Sequence, residues 1–449
     1  MLVAMIILSV VLIVVLTAVF KVHPFLSLLA GAFFVGITSG MPLLTVVENV
    51  NEGFGGLMKG IGLVIVAGTI IGVILEKSGA AYRMAEVVLR VIGEKRPQLA
   101  MSIIGYIVSI PVFCDSGFII LSSLKKALAK RAKVAIASMS VALATGLYAT
   151  HTLVPPTPGP IAAAGNIGAE NFLGTIILIG LIVAIPAVVV GYLWAVRVGS
   201  KISVPEDVED NNGLDYDEIV KSFGHMPSTF KAFLPIVLPI VLIGVGSIAK
   251  LTMAEGSFKN FLQFLGAPTV ALLFGVSAAF LLLPKWNEET LTKWIGEGLK
   301  EAAPILLITG AGGAFGKVIS NSGVADLISG MNFDAIAGGA LFLLVPFFIA
   351  AALKTAQGST TAALVITSTL IAPLLPAMGI EGAIPLALVV MAVGAGGMMV
   401  SHVNDSFFWV VTQFSGMTVT DAYKAQTMAT LLQGVTTIVV TMILWMILV

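Results

Sequence analysis

Asp115, Lys354 and Asp405 are charged residues set inside stretches otherwise apolar enough for lipid. A charge at the centre of a bilayer costs at least ~2.5–3.5 kcal/mol unless it is paired or hydrated, so position alone makes each a functional candidate. Small and polar residues surround them: Ser116 and Gly117 after Asp115; Thr355, Gln357, Gly358, Ser359, Thr360 and Thr361 after Lys354; Asn404 and Ser406 beside Asp405. A fourth group, His151, Thr152, Pro155, Pro156, Thr157 and Gly159, lies within "THTLVPPTPGP". Glycine and serine at the start of a helix leave backbone N–H groups open to an anion, and the amides and hydroxyls nearby suit hydroxyl groups. The chemistry implied is binding of a small hydroxylated anion, with Asp115, Asp405, Lys354, His151 and His402 available for charge balance. A simpler role for Lys354 is to neutralise one aspartate. His151 and His402 lack a third ligand at metal-binding spacing, which leaves them structural or proton-handling roles and implies no metal.

These residues need elements that reach mid-membrane. The chain of 449 residues is 58% hydrophobic and 11% charged, and its mean hydropathy is +1.05, the values of an integral membrane protein, and its long unbroken apolar runs in place of short alternating segments make it an all-α polytopic one. Long apolar runs are expected to span near 2–20, 25–43, 59–76, 133–168, 174–197, 231–250, 268–284, 303–320, 383–412 and 426–448. Two of them, 133–168 and 383–412, carry polar breaks at 150–160 and 401–406. Proline forces the first break out of helical geometry, and unwound backbone at that depth survives only inside protein or beside a wet cavity. The segments 97–131 and 338–372 are paired short legs around polar tips, too short to cross singly, and read as re-entrant hairpins; a span kinked at Pro111 competes for the first.

Charge bias favours hairpins. With both in place, every basic residue except Lys59, Lys250, Lys259, Lys317 and Lys354 falls on one face, which the positive-inside rule makes cytoplasmic. The hydrophilic stretch 199–230 reads as a cytoplasmic linker between residues 1–198 and 231–449. These halves resemble one another: "GLVIVAGTIIGVILEKSGAA" (62–81) aligns with "LLITGAGGAFGKVISNSGVA" (306–325), and "ATGLYATH" (144–151) aligns with the segment ending at His402, pairing Gly146 with Gly397. Each half has three spans, a hairpin, a broken span and a final span, so an odd number of crossings inverts the second. An inverted repeat with broken helices is the pattern of a secondary transporter whose site lies between the halves.

Several functions are disfavoured. Net charge is zero, with no basic footprint for nucleic acid. Cys114 is the one cysteine, which excludes an internal disulfide or thiolate cluster. An enzyme would need a nucleophile and base or a metal triad, and a channel would need a polar stripe along several spans; the sequence displays neither. No cofactor is called for.

The chain resembles the gluconate:proton symporter family, which includes gluconate, other sugar-acid, glycerate and D-serine permeases. The resemblance rests on "HPFLSLLAGAFFVGITSGM" (23–41), "FCDSGFIILSSLKKALAK" (113–130), "LVPPTPGPIAAAGNIGA" (153–169), "LLITGAGGAFGKVI" (306–319), "KTAQGSTTAALV" (354–365) and "DSFFWVVTQFSGMT" (405–418). It implies a multi-pass inner-membrane symporter that takes up a sugar acid with a proton, or glycerate or D-serine, or with sodium in place of the proton. It also implies a homodimeric scaffold, elevator-type movement, and a substrate held by Asp115 to Gly117, Pro155 to Gly159, Gln357 to Thr360 and Asn404 to Ser406.

Overall fold

Prolines and polar caps set where the helices begin. Pro24, Pro97, Pro158 and Pro268 each occupy a first helical position, where the missing N–H costs nothing. Ser228, Ser359 and Asp405 cap other helices by accepting from backbone N–H groups. The computed structural model describes residues 2–93, 96–205, 226–322, 339–403 and 405–449. Most of the expected linker, Asn404 and the first residue of the second hairpin segment lie outside that set. All regular elements among the described residues are helical.

The principal helices are α1 (Leu2–Ala18), α2 (Pro24–Thr38), α3 (Leu43–Leu57), α4 (Leu63–Lys77), α5 (Ala80–Ile92), α6 (Pro97–Val108), α7 (Cys114–Ala132), α8 (Ile136–Leu153), α9 (Pro158–Asn166) and α10 (Leu173–Arg197). After the linker come α11 (Thr229–Thr252), α12 (Ser257–Gly266), α13 (Pro268–Ala279), α14 (Ile295–Ser320), α15 (Leu344–Gln357), α16 (Thr360–Ile371), α17 (Ala383–Met398), α18 (Ser406–Phe414) and α19 (Met428–Leu448). Helix pairs therefore stand where paired legs and broken spans were expected: α6 with α7, α8 with α9, α15 with α16, and α17 with α18.

Six helical runs among the described residues are long and apolar enough to cross a membrane, with a seventh if α12 and the helix after it, bent by 61°, count as one. The ten expected spans thus do not appear as ten unbroken helices. The first two are 17 and 15 residues long, and the polar breaks divide two others. A further difference is that 43–77 is one helical run of 35 residues, continuous through a π turn at Met58–Gly62. At the usual rise it measures about 52 Å, well beyond a hydrocarbon core of about 30 Å.

α14 packs against both α3 and α4. Lys77 pairs with Glu297 at 2.6 Å, and Lys317 with Glu52 at 3.3 Å. The low-numbered end of one run thus meets the high-numbered end of the other, so the two run antiparallel. Around them the post-break helix of each part packs against the second leg of the other: α9 on α16, and α18 on α7.

Close backbone approach accounts for two of the aligned glycines, Gly68 and Gly72, whereas a Cβ on Gly312 or Gly316 would meet the Thr369 side chain. A Cβ on Gly68 would sit 2.8 Å from the Pro156 carbonyl, and one on Gly72 would sit 2.7 Å from the Pro111 carbonyl. Both contacts are with the unwound segments that the polar residues occupy. Gly146 abuts the Ser102 carbonyl of α6, and Gly396, not Gly397, abuts the Phe347 carbonyl of α15. By packing, the match to Gly146 is therefore one residue earlier than the sequence alignment puts it.

Candidate functional site

Asp405 is the more heavily bonded of the two candidate aspartates. Its Oδ2 accepts from the Lys354 ammonium at 2.7 Å and the Ser401 hydroxyl at 2.5 Å, and its Oδ1 accepts from the Phe407 amide at 3.1 Å. Lys354, with no exposed side-chain surface, also donates to the Gly358 carbonyl at 2.5 Å. Gly358 itself takes a left-handed φ of 84° that ends α15. One ammonium therefore ties the tip between α15 and α16 to the break between α17 and α18. His402 reinforces the tie, its Nε2 donating to the Thr355 carbonyl at 2.8 Å.

Asp115 is held differently. It lies in the first turn of α7, where Phe113 supplies no side-chain cap. The Cys114 thiol donates to Oδ2 at 3.7 Å, whereas Oδ1 is buried without a partner among the described residues. Asp405 and Lys354 are within electrostatic reach of it. The tip of one pair and the break of the other therefore converge. Gly117 does not offer a free donor: its N–H is bonded to the Phe113 carbonyl at 2.8 Å, which leaves the amides before it as the open ones. In the second pair, the hydroxyl of Ser359 takes the Ala362 amide at 3.2 Å, so the open amides there belong to Thr360 and Thr361.

The first break is more self-contained. The hydroxyl of Thr152 turns back onto the Tyr148 carbonyl at 2.9 Å, and that of Thr157 onto the Val154 carbonyl at 2.6 Å, so the proton of each is already donated within the break. The Pro155–Pro156 bond is cis. A Cβ on Gly159 would meet Leu364 of α16 at 3.1 Å, a packing contact across the two parts. His151 is buried beside the Phe113 ring, with Nδ1 unpartnered among the described residues. Gln357 keeps both side-chain polar atoms buried and unpartnered in the same sense.

Tyr148 was not among the residues singled out from sequence. Its hydroxyl hydrogen-bonds the Thr360 hydroxyl at 2.7 Å and the Gly397 carbonyl at 3.3 Å, while its ring stacks on Phe407. A tyrosine one turn from His151 on a buried helix was the available signal. Among the described residues no group of His, Cys, Asp and Glu could hold a metal ion.

A polar cluster between broken helices can bind and charge-compensate a small anion, and comparison with known proteins decides the family. The profile of the GntP family permease matches residues 1–447. The chain belongs to the GntP family. This GntP permease is 33% identical to a gluconate permease of Pseudomonas aeruginosa, over 92% of this chain and 91% of that protein. It is 32% identical to the D-serine transporter DsdX of Escherichia coli, over 98% of each. In fold it is similar to the YdaH transporter of Alcanivorax borkumensis, with a TM-score of 0.65 at 14% identity, covering 94% of this chain and 98% of that one. The permease is a multi-pass inner-membrane transporter and not an enzyme.

Proposed function

We propose that this permease imports a small hydroxylated carboxylate, with gluconate or a related sugar acid first in line, together with a proton bound at Asp115. The observation that carries the reading is the contrast between its two site aspartates. Asp405 has both oxygens engaged by Lys354, Ser401 and the Phe407 amide, while Asp115 keeps Oδ1 buried and unpartnered. Ionised, Asp115 leaves Asp115, Asp405 and Lys354 with one net negative charge, which opposes an incoming anion. Protonated, it leaves that trio neutral. Uptake of anion and proton together follows from that difference.

In this reading the substrate lies between the open amides of the two tips, near Asp115, Ser116, Gln357, Thr360 and Ser406. The antiparallel run of α3–α4 against α14 supports an inverted relation between the halves. Lys125 donates to the Phe414 carbonyl at 2.9 Å, and Asn166 donates to the Val365 carbonyl at 3.0 Å and the Ser368 hydroxyl at 2.8 Å. Links of this kind join tips and breaks into one body, which suits elevator movement against the paired α3–α4 and α14 of a dimeric scaffold.

D-serine is the second reading, favoured by the likeness to DsdX. A bound ligand raises the melting temperature in step with its occupancy, so the purified protein heated with gluconate, idonate, glycerate and D-serine separates the candidates. The largest upward shift is expected with a sugar acid; a shift with D-serine alone would move the assignment, and no shift with any of these acids would remove the substrate class.

A further inference from the structure

Ser401 begins the second polar break, and all three of its polar groups are bonded. Its hydroxyl donates to Asp405 Oδ2 at 2.5 Å, its N–H donates to the Thr430 hydroxyl at 3.0 Å, and its carbonyl accepts from the Thr427 hydroxyl at 2.5 Å. Ser401 and these three partners are buried. The residue before it, Val400, holds a left-handed φ of 49°. A β-branched side chain is strained in that region, and such backbone persists only where its surroundings over-determine it. The two threonines supply that restraint.

Their own helix shows how threonine hydroxyls otherwise behave. Further along α19, those of Thr437 and Thr441 turn back onto the carbonyls of Gln433 and Thr437, both at 2.7 Å. Thr427 instead sends its proton across to Ser401. Thr430 donates to the Thr427 carbonyl at 3.0 Å, which leaves its oxygen to accept the Ser401 N–H. Thr427 closes a π turn, Tyr423–Thr427, and Thr430 follows three residues later on the same face.

We propose that Thr427 and Thr430 are positioning residues for substrate binding, acting through Ser401 on Asp405. The proposal rests on the substrate site given above. Held at both backbone groups, Ser401 presents its hydroxyl to Oδ2, the oxygen that also takes the Lys354 ammonium. That ammonium bonds the Gly358 carbonyl as well, so the order imposed from α19 reaches the tip whose open amides belong to Thr360 and Thr361. α19 and α17 pack on one another, so the clamp shapes the empty site from within one group of helices. Its loss is a loss of pre-organisation, read as a raised KM with the maximal rate little changed.

Thr427→Val and Thr430→Val keep the side-chain shape and remove the hydroxyl, whereas Thr427→Ser and Thr430→Ser keep the hydroxyl and remove the methyl. Initial rates of radiolabelled gluconate counterflow, which needs no ion gradient, give KM and maximal rate for reconstituted full-length protein. Each Val variant is expected to raise KM about tenfold, the upper end for one hydrogen bond of ordinary net strength, with the maximal rate within about threefold. Each Ser variant is expected to stay within about twofold of the wild type in both. Ser401→Ala is expected to raise KM to a similar degree, and adding Thr430→Val to it is expected to change little more, because the path to Asp405 is already cut. Unchanged KM in both Val variants would overturn the proposal. So would a fall in maximal rate alone, the mark of a merely structural role, or full additivity of Thr430→Val with Ser401→Ala. Wild-type protein that carries no gluconate would instead overturn the substrate reading, and D-serine would then be the probe for the same comparison.

Discussion

At the scale of single residues, the two aspartates that sequence position alone treats alike sit in different settings: Asp405 has both oxygens bonded, and Asp115 keeps one buried without a partner among the described residues. Asp115→Asn keeps shape and polarity but removes the ionisable group, so gradient-driven uptake is expected to fall by at least about a hundredfold. Gln357→Asn is expected to cost less than about tenfold, because it trims a neutral partner; initial uptake rates in proteoliposomes rank the two. The reverse ranking would move the proton to the other tip. Asp405→Asn breaks a buried ion pair and leaves Lys354 uncompensated, for an expected loss of about 3–5 kcal/mol of stability. Replacing both partners, as Asp405→Asn with Lys354→Met, is expected to recover part of that loss in thermal melts. Charged residues in apolar runs were legible without a structure because their cost is set by depth alone. The difference between Asp115 and Asp405 was not, since it depends on Ser401 and the Phe407 amide. Nor was Tyr148, whose type suits ordinary packing until Thr360 is seen to meet its hydroxyl.

At the scale of elements, glycine contacts with unwound backbone set how tightly α4 can approach the tips. Gly72→Val would force methyl groups onto the Pro111 carbonyl and is expected to lower stability by about 1–3 kcal/mol, as overpacking does. Gly296→Ala, where nothing lies within 4 Å of the added carbon, is expected to be neutral or slightly stabilising. Melting temperatures of the two variants in one detergent make the comparison. The breaks were readable because proline and clustered polar residues prohibit a continuous helix. The helical run from Leu43 to Leu57 was not, because "ENVNEG" looks like a loop. Packing against α14 overrides that local preference, since α3 buries Val46 and Asn49 and the Asn49 amide oxygen accepts from Asn321 at 2.7 Å.

At the scale of the whole molecule, helices from before and after the expected linker meet at the aspartates: α18 packs on α7, and Lys354 of α15 pairs with Asp405. Polar breaks marked in the sequence where helices must stop, whereas the pairing of α9 with α16 and α18 with α7 required the fold. The central claim is that one proton enters with each anion because Asp115 must be neutral for the anion to bind. Its most direct test is the initial rate of gluconate uptake into sodium-free proteoliposomes under an imposed pH gradient, for the wild type and Asp115→Asn. Uptake into wild-type vesicles that rises with an acidic exterior, collapses with a protonophore and disappears in Asp115→Asn is the predicted result. Uptake that follows sodium, or that persists unchanged in Asp115→Asn, would contradict it.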